Sequence, residues 1–481
     1  MLTALILAMF MGAIEATIVA TAMPQIAGTL GGFSLYSWVF SSYLLMQAVT
    51  IPVFGKLADL LGRKPVFIAG TVVFLLGSVL CGFATTMPLL VAFRFLQGIG
   101  AGAVQPITAT LAGDLYTLEE RGRVQGYLSS VWGISAIVGP LAGGLIVQHA
   151  GWPWIFWLNV PFGVLTIALV ALFLHENVAH ERRSVDYAGA GLLFVGVSSL
   201  MLALTQGAEW GTGPLAALVA VFGVAFLLFL FQERRAPDPI MHLEIWGNRT
   251  IALANVATLT AGIAMIGLIS FLPAYVQGVQ GGSALAAGFA LSAMTVGWPL
   301  ASVVAGRLFV RLGVRRLARA GGVAVMLGAL MVALLADRGP AEVGVGSFVT
   351  GVGLGLLSTT FIVAIQTRVA WTQRGVATAS NMLMRILGNA LGAAIFGGVL
   401  NLRLRAFLAE RGLERRISLD SVQGLLGEGA PRAGAVLSGP AARVLREGLS
   451  TSLHLVFWGV VLSAAATLVV SWLVPDLSRE A

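Results

Sequence analysis

Between residues 3 and 174 the chain runs through six apolar stretches of about twenty residues, parted only by short polar connections. Twenty residues at a 1.5 Å rise make a helix of about 30 Å, the thickness of a bilayer's hydrocarbon; a barrel strand needs only about half as many. Repeated stretches of this length predict spanning helices. Reading on to the far end places them near 3–29, 35–54, 66–85, 88–113, 124–147, 153–174, 187–206, 214–232, 250–275, 284–306, 318–336, 343–366, 377–400 and 450–474. Composition agrees: 58% of the 481 residues are hydrophobic and 10% charged, against about 25% charged in a soluble domain. The 60 glycines suit close helix packing in lipid. The expected fold is all-α and integral to the membrane, with fourteen spans.

The connections divide by charge. One set carries 18 lysines and arginines, among them Lys56, Arg63, Lys64, Arg182, Arg183 and Arg479; the short loops of the other set carry only Arg338. Positive residues mark the cytoplasmic side, so both termini are expected there. The net charge of +8 is accordingly topological, and no nucleic-acid partner is implied. Residues 401–449 lie on the opposite side and still hold eight arginines against five acids. Their stretch "NLRLRAFLAERGLERR" predicts an amphipathic helix along the outer surface, or a loop. The first stretch lacks a basic leader and reads as a retained helix rather than a signal peptide. Cys81 reads as a small packed residue.

Of the 21 acids, only Glu15 falls near the middle of a span. A charge there costs roughly 2.5–3.5 kcal/mol, so it needs a partner or a task. Arg94 in span 4 and Arg385 in span 13 are the buried cations. A carboxyl set between desolvation and a nearby cation can load and release a proton. Tyr43, Met46, Gln47, Asn255, Trp298, Asn381 and Arg385 are candidates for lining a central pocket; packing is the commoner role for such residues, and a structural tie is the alternative for Arg385.

The sequence also repeats itself. "GKLADLLGRKPV" (55–66) returns as "GRLFVRLGVRRL" (306–317), an offset of 251, and "RGRVQG" returns as "RGVATA" 253 residues on. Two parallel six-span halves with two spans inserted reproduce both offsets. The expected units are an N-terminal half (1–174), an inserted pair (175–249) and a C-terminal half (250–481) containing the 401–449 loop.

"GKLADLLGRK" resembles the major facilitator signature between helices 2 and 3. That resemblance implies a cytoplasmic latch built from Gly55, Asp59, Gly62, Arg63, Lys64 and Asp114. Val310 stands where Asp59 would repeat, so the latch is expected on one side only. "RFLQGIGAGAVQP" resembles the family's fourth-helix motif, which ties Arg94 to proton transfer. "GISAIVGPLAGG", with Gly133, Gly139, Pro140, Gly143 and Gly144, is similar to the fifth-helix motif that marks exporters. "GWPWIFWLNVPFG" and "IEATIVATAMPQI" resemble stretches of fourteen-span drug/proton antiporters, which usually have Asp where this chain has Glu15. The resemblance implies a proton-coupled exporter of small amphipathic, lipophilic and chiefly cationic compounds in a prokaryotic inner membrane. An exporter of one endogenous product is the alternative, and a membrane-embedded enzyme a distant third.

No nucleotide-binding loop and no Cys/His cluster occurs, so neither catalytic residues nor a metal or cofactor are expected. Work would come from the proton gradient. The expected partners are small-molecule substrates, protons and the lipid bilayer, around a monomer.

Overall fold

Helix follows helix, and each break falls where an apolar run ends. The structure, a computed structural model, describes residues 1–31, 35–176, 186–237, 239, 243–282, 284–411 and 440–475. The first half comprises α1 (Leu2–Leu30), α2 (Tyr36–Leu61), α3 (Arg63–Gly82), α4 (Met87–Leu115) and α5 (Leu118–His149), then a short α6 (Pro153–Trp157) continued by α7 (Asn159–Phe173). Next come α8 (Tyr187–Trp210), α9 (Thr212–Glu233) and the short α10 (Leu243–Gly247). The chain finishes with α11 (Arg249–Gly278), α12 (Ala284–Leu335), α13 (Pro340–Arg368), α14 (Arg374–Glu410) and α15 (Pro440–Leu473).

Among the described residues, 12 helices are long and apolar enough to cross a membrane. The expected fourteen differ from this count at two places. α12 is 52 residues long, and Gly313 within it has φ 71° and ψ 170°, so two helices meet there. α5 is not among the 12, although its 32 residues exceed the length a crossing requires.

Local chemistry starts the helices. The Thr86 hydroxyl accepts from the Leu89 amide at the head of α4. Thr117 and Glu120 form a reciprocal capping box at the head of α5, and these bonds hold the Glu120 carboxyl below its ordinary range. Gly62, at φ +96°, joins α2 to α3. Gly313 makes the corresponding break in the second copy, so the two repeats share a backbone device that a side chain would strain.

Small residues set the packing. A Cβ added at Gly98 of α4 would lie 2.5 Å from the Tyr43 carbonyl oxygen of α2, and one at Gly77 of α3 would lie 2.5 Å from the Gln97 nitrogen of α4. The three helices therefore touch almost backbone to backbone. Two apolar cores draw on residues between Ala4 and Leu174, and a third on residues between Ile245 and Val474. A further cluster joins Leu45 and Val49 of α2, Val197 and Met201 of α8 and Leu383 of α14. Helix α8 thus lies across the line where α2 meets α14.

The 401–449 stretch departs from expectation. Residues 401–410 continue α14 and residues 440–449 belong to α15. Leu404 and Leu408 pack in one core with Leu445 and Leu449, and Phe407 lies against Gly448. Ion pairs Arg403–Glu410 at 3.5 Å and Arg411–Glu447 at 3.0 Å lie on their exposed faces. The apolar stripe finds its partner in the other extension rather than in a membrane surface. Residues 412–439, together with Arg182, Arg183, Arg479 and the side chain of Pro140, lie outside the described residues.

Candidate functional site

Glu15 lies midway along α1 and is fully buried. One carboxylate oxygen accepts from the Arg94 guanidinium of α4, and the other accepts from the Asn159 amide of α7 at 2.6 Å. Arg94 also donates through Nε to the Val39 carbonyl (3.0 Å) and through Nη1 to Gln97 Oε1 (2.8 Å). Its guanidinium stacks 4.2 Å from the centre of the Tyr43 ring. Ser78 of α3 gathers the remaining bonds. It accepts from Gln97 (3.2 Å) and Asn159 (3.0 Å) and donates to the Phe156 carbonyl (2.7 Å). The Cys81 thiol, buried beside Gln97 at 3.8 Å, completes the group.

The arrangement answers the cost of the buried acid. Charge cancels charge, and each carboxylate oxygen has a donor, as a buried pair requires. Breaking such a pair from one side costs about 3–5 kcal/mol because the other charge is stranded. Sequence reasoning singled out Glu15 and Arg94 without pairing them. It passed over Asn159, Ser78 and Gln97, of which Asn159 and Gln97 stand inside stretches already notable for other reasons.

The second constellation lies at the Gly62 end of the bundle. Asp59 accepts from the backbone amides of Gly375 (3.0 Å) and Val376 (2.9 Å), the first residues of α14. Unpaired amides at a helix start carry partial positive charge, so the carboxylate caps a helix of the opposite half. Arg63 pairs with Asp59 at 2.6 Å and with Asp114 at 3.0 Å, and it donates to the Trp371 carbonyl at 2.7 Å. Asp114 in turn accepts from Arg374 at 2.8 Å. Gln366 of α13 reaches the Ala109 carbonyl of α4 at 3.0 Å. Gly55 lies against Gly375 and Ala379. Two acids and two arginines thus join α2, α3 and α4 to α14 at this end.

Lys64 serves elsewhere. Its ammonium donates to the Ala171 and Leu174 carbonyls at the end of α7, while Glu176 caps the Arg63 and Lys64 amides. These bonds stay inside the first half.

Gly133 of α5 lies under the Thr295 carbonyl of α12, and Gly139 lies against Thr17 of α1. Gly143 is buried, and Gly144 has open space where a side chain would point. The pocket candidates separate. Tyr43 stacks on Arg94; Met46 and Gln47 are buried on α2 along the glycine face of α4. Asn381 of α14 donates to Asn255 Oδ1 of α11 at 3.0 Å, a link between helices. Trp298 packs on the core of the second half. Arg385 has neither a hydrogen bond nor an ion pair among the described residues, and the Tyr43 hydroxyl is likewise without a hydrogen-bond partner. No group of three metal-ligating side chains comes together among the described residues.

A helical membrane bundle with an internal repeat, a cluster of ion pairs linking its two parts and an ion pair buried in one of them points to a class of transporter. The Major Facilitator Superfamily sequence profile matches residues 5–393, and the chain belongs to that family. It is 32% identical over 502 aligned residues to multidrug transporter protein MdtP of Bacillus subtilis, covering 99% of this chain and 93% of that protein. It is 36% identical over 399 residues to multidrug resistance protein 3 of the same organism, covering 82% and 78%. Among solved structures, the human organic anion transporter MFSD10 superposes with a TM-score of 0.64 at 14% identity, covering 95% of this chain and 98% of that one. The proton:xylose symporter XylE superposes with a TM-score of 0.61 at 12% identity, covering 99% and 95%. At those identities the likeness is one of fold.

Proposed function

We propose that this transporter exports small amphipathic compounds from the cytoplasm in exchange for protons, by alternating access between two halves. The observation that carries the reading is the fully buried Glu15–Arg94 pair, the one place in the middle of a span where adding a proton changes a charge balance. When Glu15 is ionised the pair is neutral and saturated. When Glu15 takes a proton, Arg94 keeps its charge and loses its counter-ion, which penalises the present packing and favours a rearranged state. A cationic cargo competing for Glu15 must likewise displace Arg94. In this reading the Asp59 latch closes the cytoplasmic end and releases once per cycle.

The multidrug relatives support export of varied compounds, and the exporter-like glycine stretch of α5 supports its direction. A single endogenous product would use the same machinery. The test is uptake into proteoliposomes under an imposed pH gradient, with cationic dyes and neutral lipophiles as cargo. Glu15→Gln is expected to abolish gradient-driven accumulation while the purified protein still binds cargo. A variant that concentrates cargo normally would remove Glu15 from the coupling.

A further inference from the structure

Arg385 stands about 16 Å along α14 from its first residue, at 1.5 Å per residue, inside the stretch expected to span the membrane. Its side chain is partly buried. Its direction follows from its neighbours on α14. Seven residues earlier, on the same stripe, the Thr378 hydroxyl accepts at 3.2 Å from Gln366, the side chain that also reaches α4 of the other half. The adjoining face, with Asn381 and Gly388, is against α11. Arg385 therefore sits on α14 between the residues that face α11 and the one linked through Gln366 to the first half. One turn further, Asn389 Oδ1 is buried and lacks a hydrogen-bond partner among the described residues.

The other buried charges at the two sites are matched: Glu15 by Arg94, and Asp59 and Asp114 by Arg63. Arg385 has no counter-ion among the described residues. An arginine keeps its proton and cannot escape the cost by neutralising. Its planar fork suits a carboxylate or a sulfonate.

We infer that Arg385 is a recognition site for an acidic group on the cargo, so that the substrates include amphiphiles bearing a carboxylate or comparable anion. Such a cargo supplies the missing counter-charge. This inference rests on the reading of the chain as an exporter and narrows its substrate class. A zwitterion with a cationic ring system and a carboxylate satisfies both that reading and Arg385.

The test uses the purified full chain and a matched pair of probes, rhodamine B, which carries a carboxylate, and its ethyl ester, which does not. Equilibrium binding is followed by fluorescence anisotropy. The unmodified protein is expected to bind the acid about tenfold or more tightly than the ester, the scale of one charge-assisted hydrogen-bonded pair. Arg385→Gln should erase that preference while leaving ester affinity within about twofold, which also shows that the variant folds; Arg385→Lys should retain part of it. Equal affinity for the two probes in the unmodified protein overturns the proposal, and so does an equal loss of both in Arg385→Gln. Gradient-driven accumulation of the ester is measured in parallel. Discrimination without accumulation leaves Arg385 standing and removes the exporter reading; accumulation without discrimination does the reverse.

Discussion

The two halves meet along two seams that the internal repeat makes equivalent. In one, Gly55 of α2 lies on Gly375 of α14; in the other, Gly306 of α12 lies on Gly122 of α5. Offsets of 251 and 253 residues exchange the two pairs. The chemistry laid over them differs. At the first seam Asp59 crosses to cap α14, and Arg63, Asp114 and Arg374 close round it. At the second, Val310 stands in the equivalent place with half its surface exposed, and α5 is capped by its own Thr117 and Glu120. Duplication has thus kept the close glycine contact in both seams and the electrostatic catch in one. One seam carries an ion-pair cluster over its glycine contact; at the other Val310 holds the place of the acid.

The comparison breaks most severely at the second seam. Gly306→Leu would drive a side chain into the Gly122 backbone, and a fall in transport of about a hundredfold is expected, since overpacking that cannot relax costs typically 1–3 kcal/mol or more. Spin-label distances across α5 and α12 should widen with it. Normal transport in that variant would show that the seam tolerates separation.

Next in size is the catch. Asp59→Asn removes the charge from two amide bonds and one ion pair, and turnover in proteoliposomes should fall about 10- to 100-fold, with cargo affinity changed less. Unchanged turnover would make the catch decorative. Arg374→Ala removes a more exposed member of the same group and should slow turnover only about threefold to fivefold, the scale of an ion pair worth about 1 kcal/mol. A loss as large as that of Asp59→Asn would shift the centre of the catch to Asp114. Smallest is Thr117→Ala, which should cost about 1 kcal/mol of stability and lower the melting temperature in detergent with transport nearly unchanged. A transport defect there would mean that the second seam carries a catch of its own.

The sequence made much of this visible, for particular reasons. Hydrocarbon thickness imposes a length on every span, and Gly62 and Gly313 repeat because only a residue without a Cβ turns so sharply at so little cost. The Glu15–Arg94 pair was legible as two separate anomalies and not as a bond, because 79 residues separate the partners and no periodicity joins them. Asn159 was hidden among tryptophans that drew attention to the membrane surface. What Asp59 itself grips in the second half had no side-chain signature, since it is peptide backbone. Lys64 was expected in the latch through its place in the signature-like stretch, and its ammonium bonds the carbonyls at the end of α7.

That grip on peptide groups has a consequence for genetics. A carboxylate paired with a lysine can be rescued by exchanging the two charges; Asp59 has no such exchange available at Gly375 or Val376, because every residue except proline brings the same N–H. Suppressors of an Asp59 lesion should therefore map away from its partners, to sites that reset the balance between the two ends of the bundle.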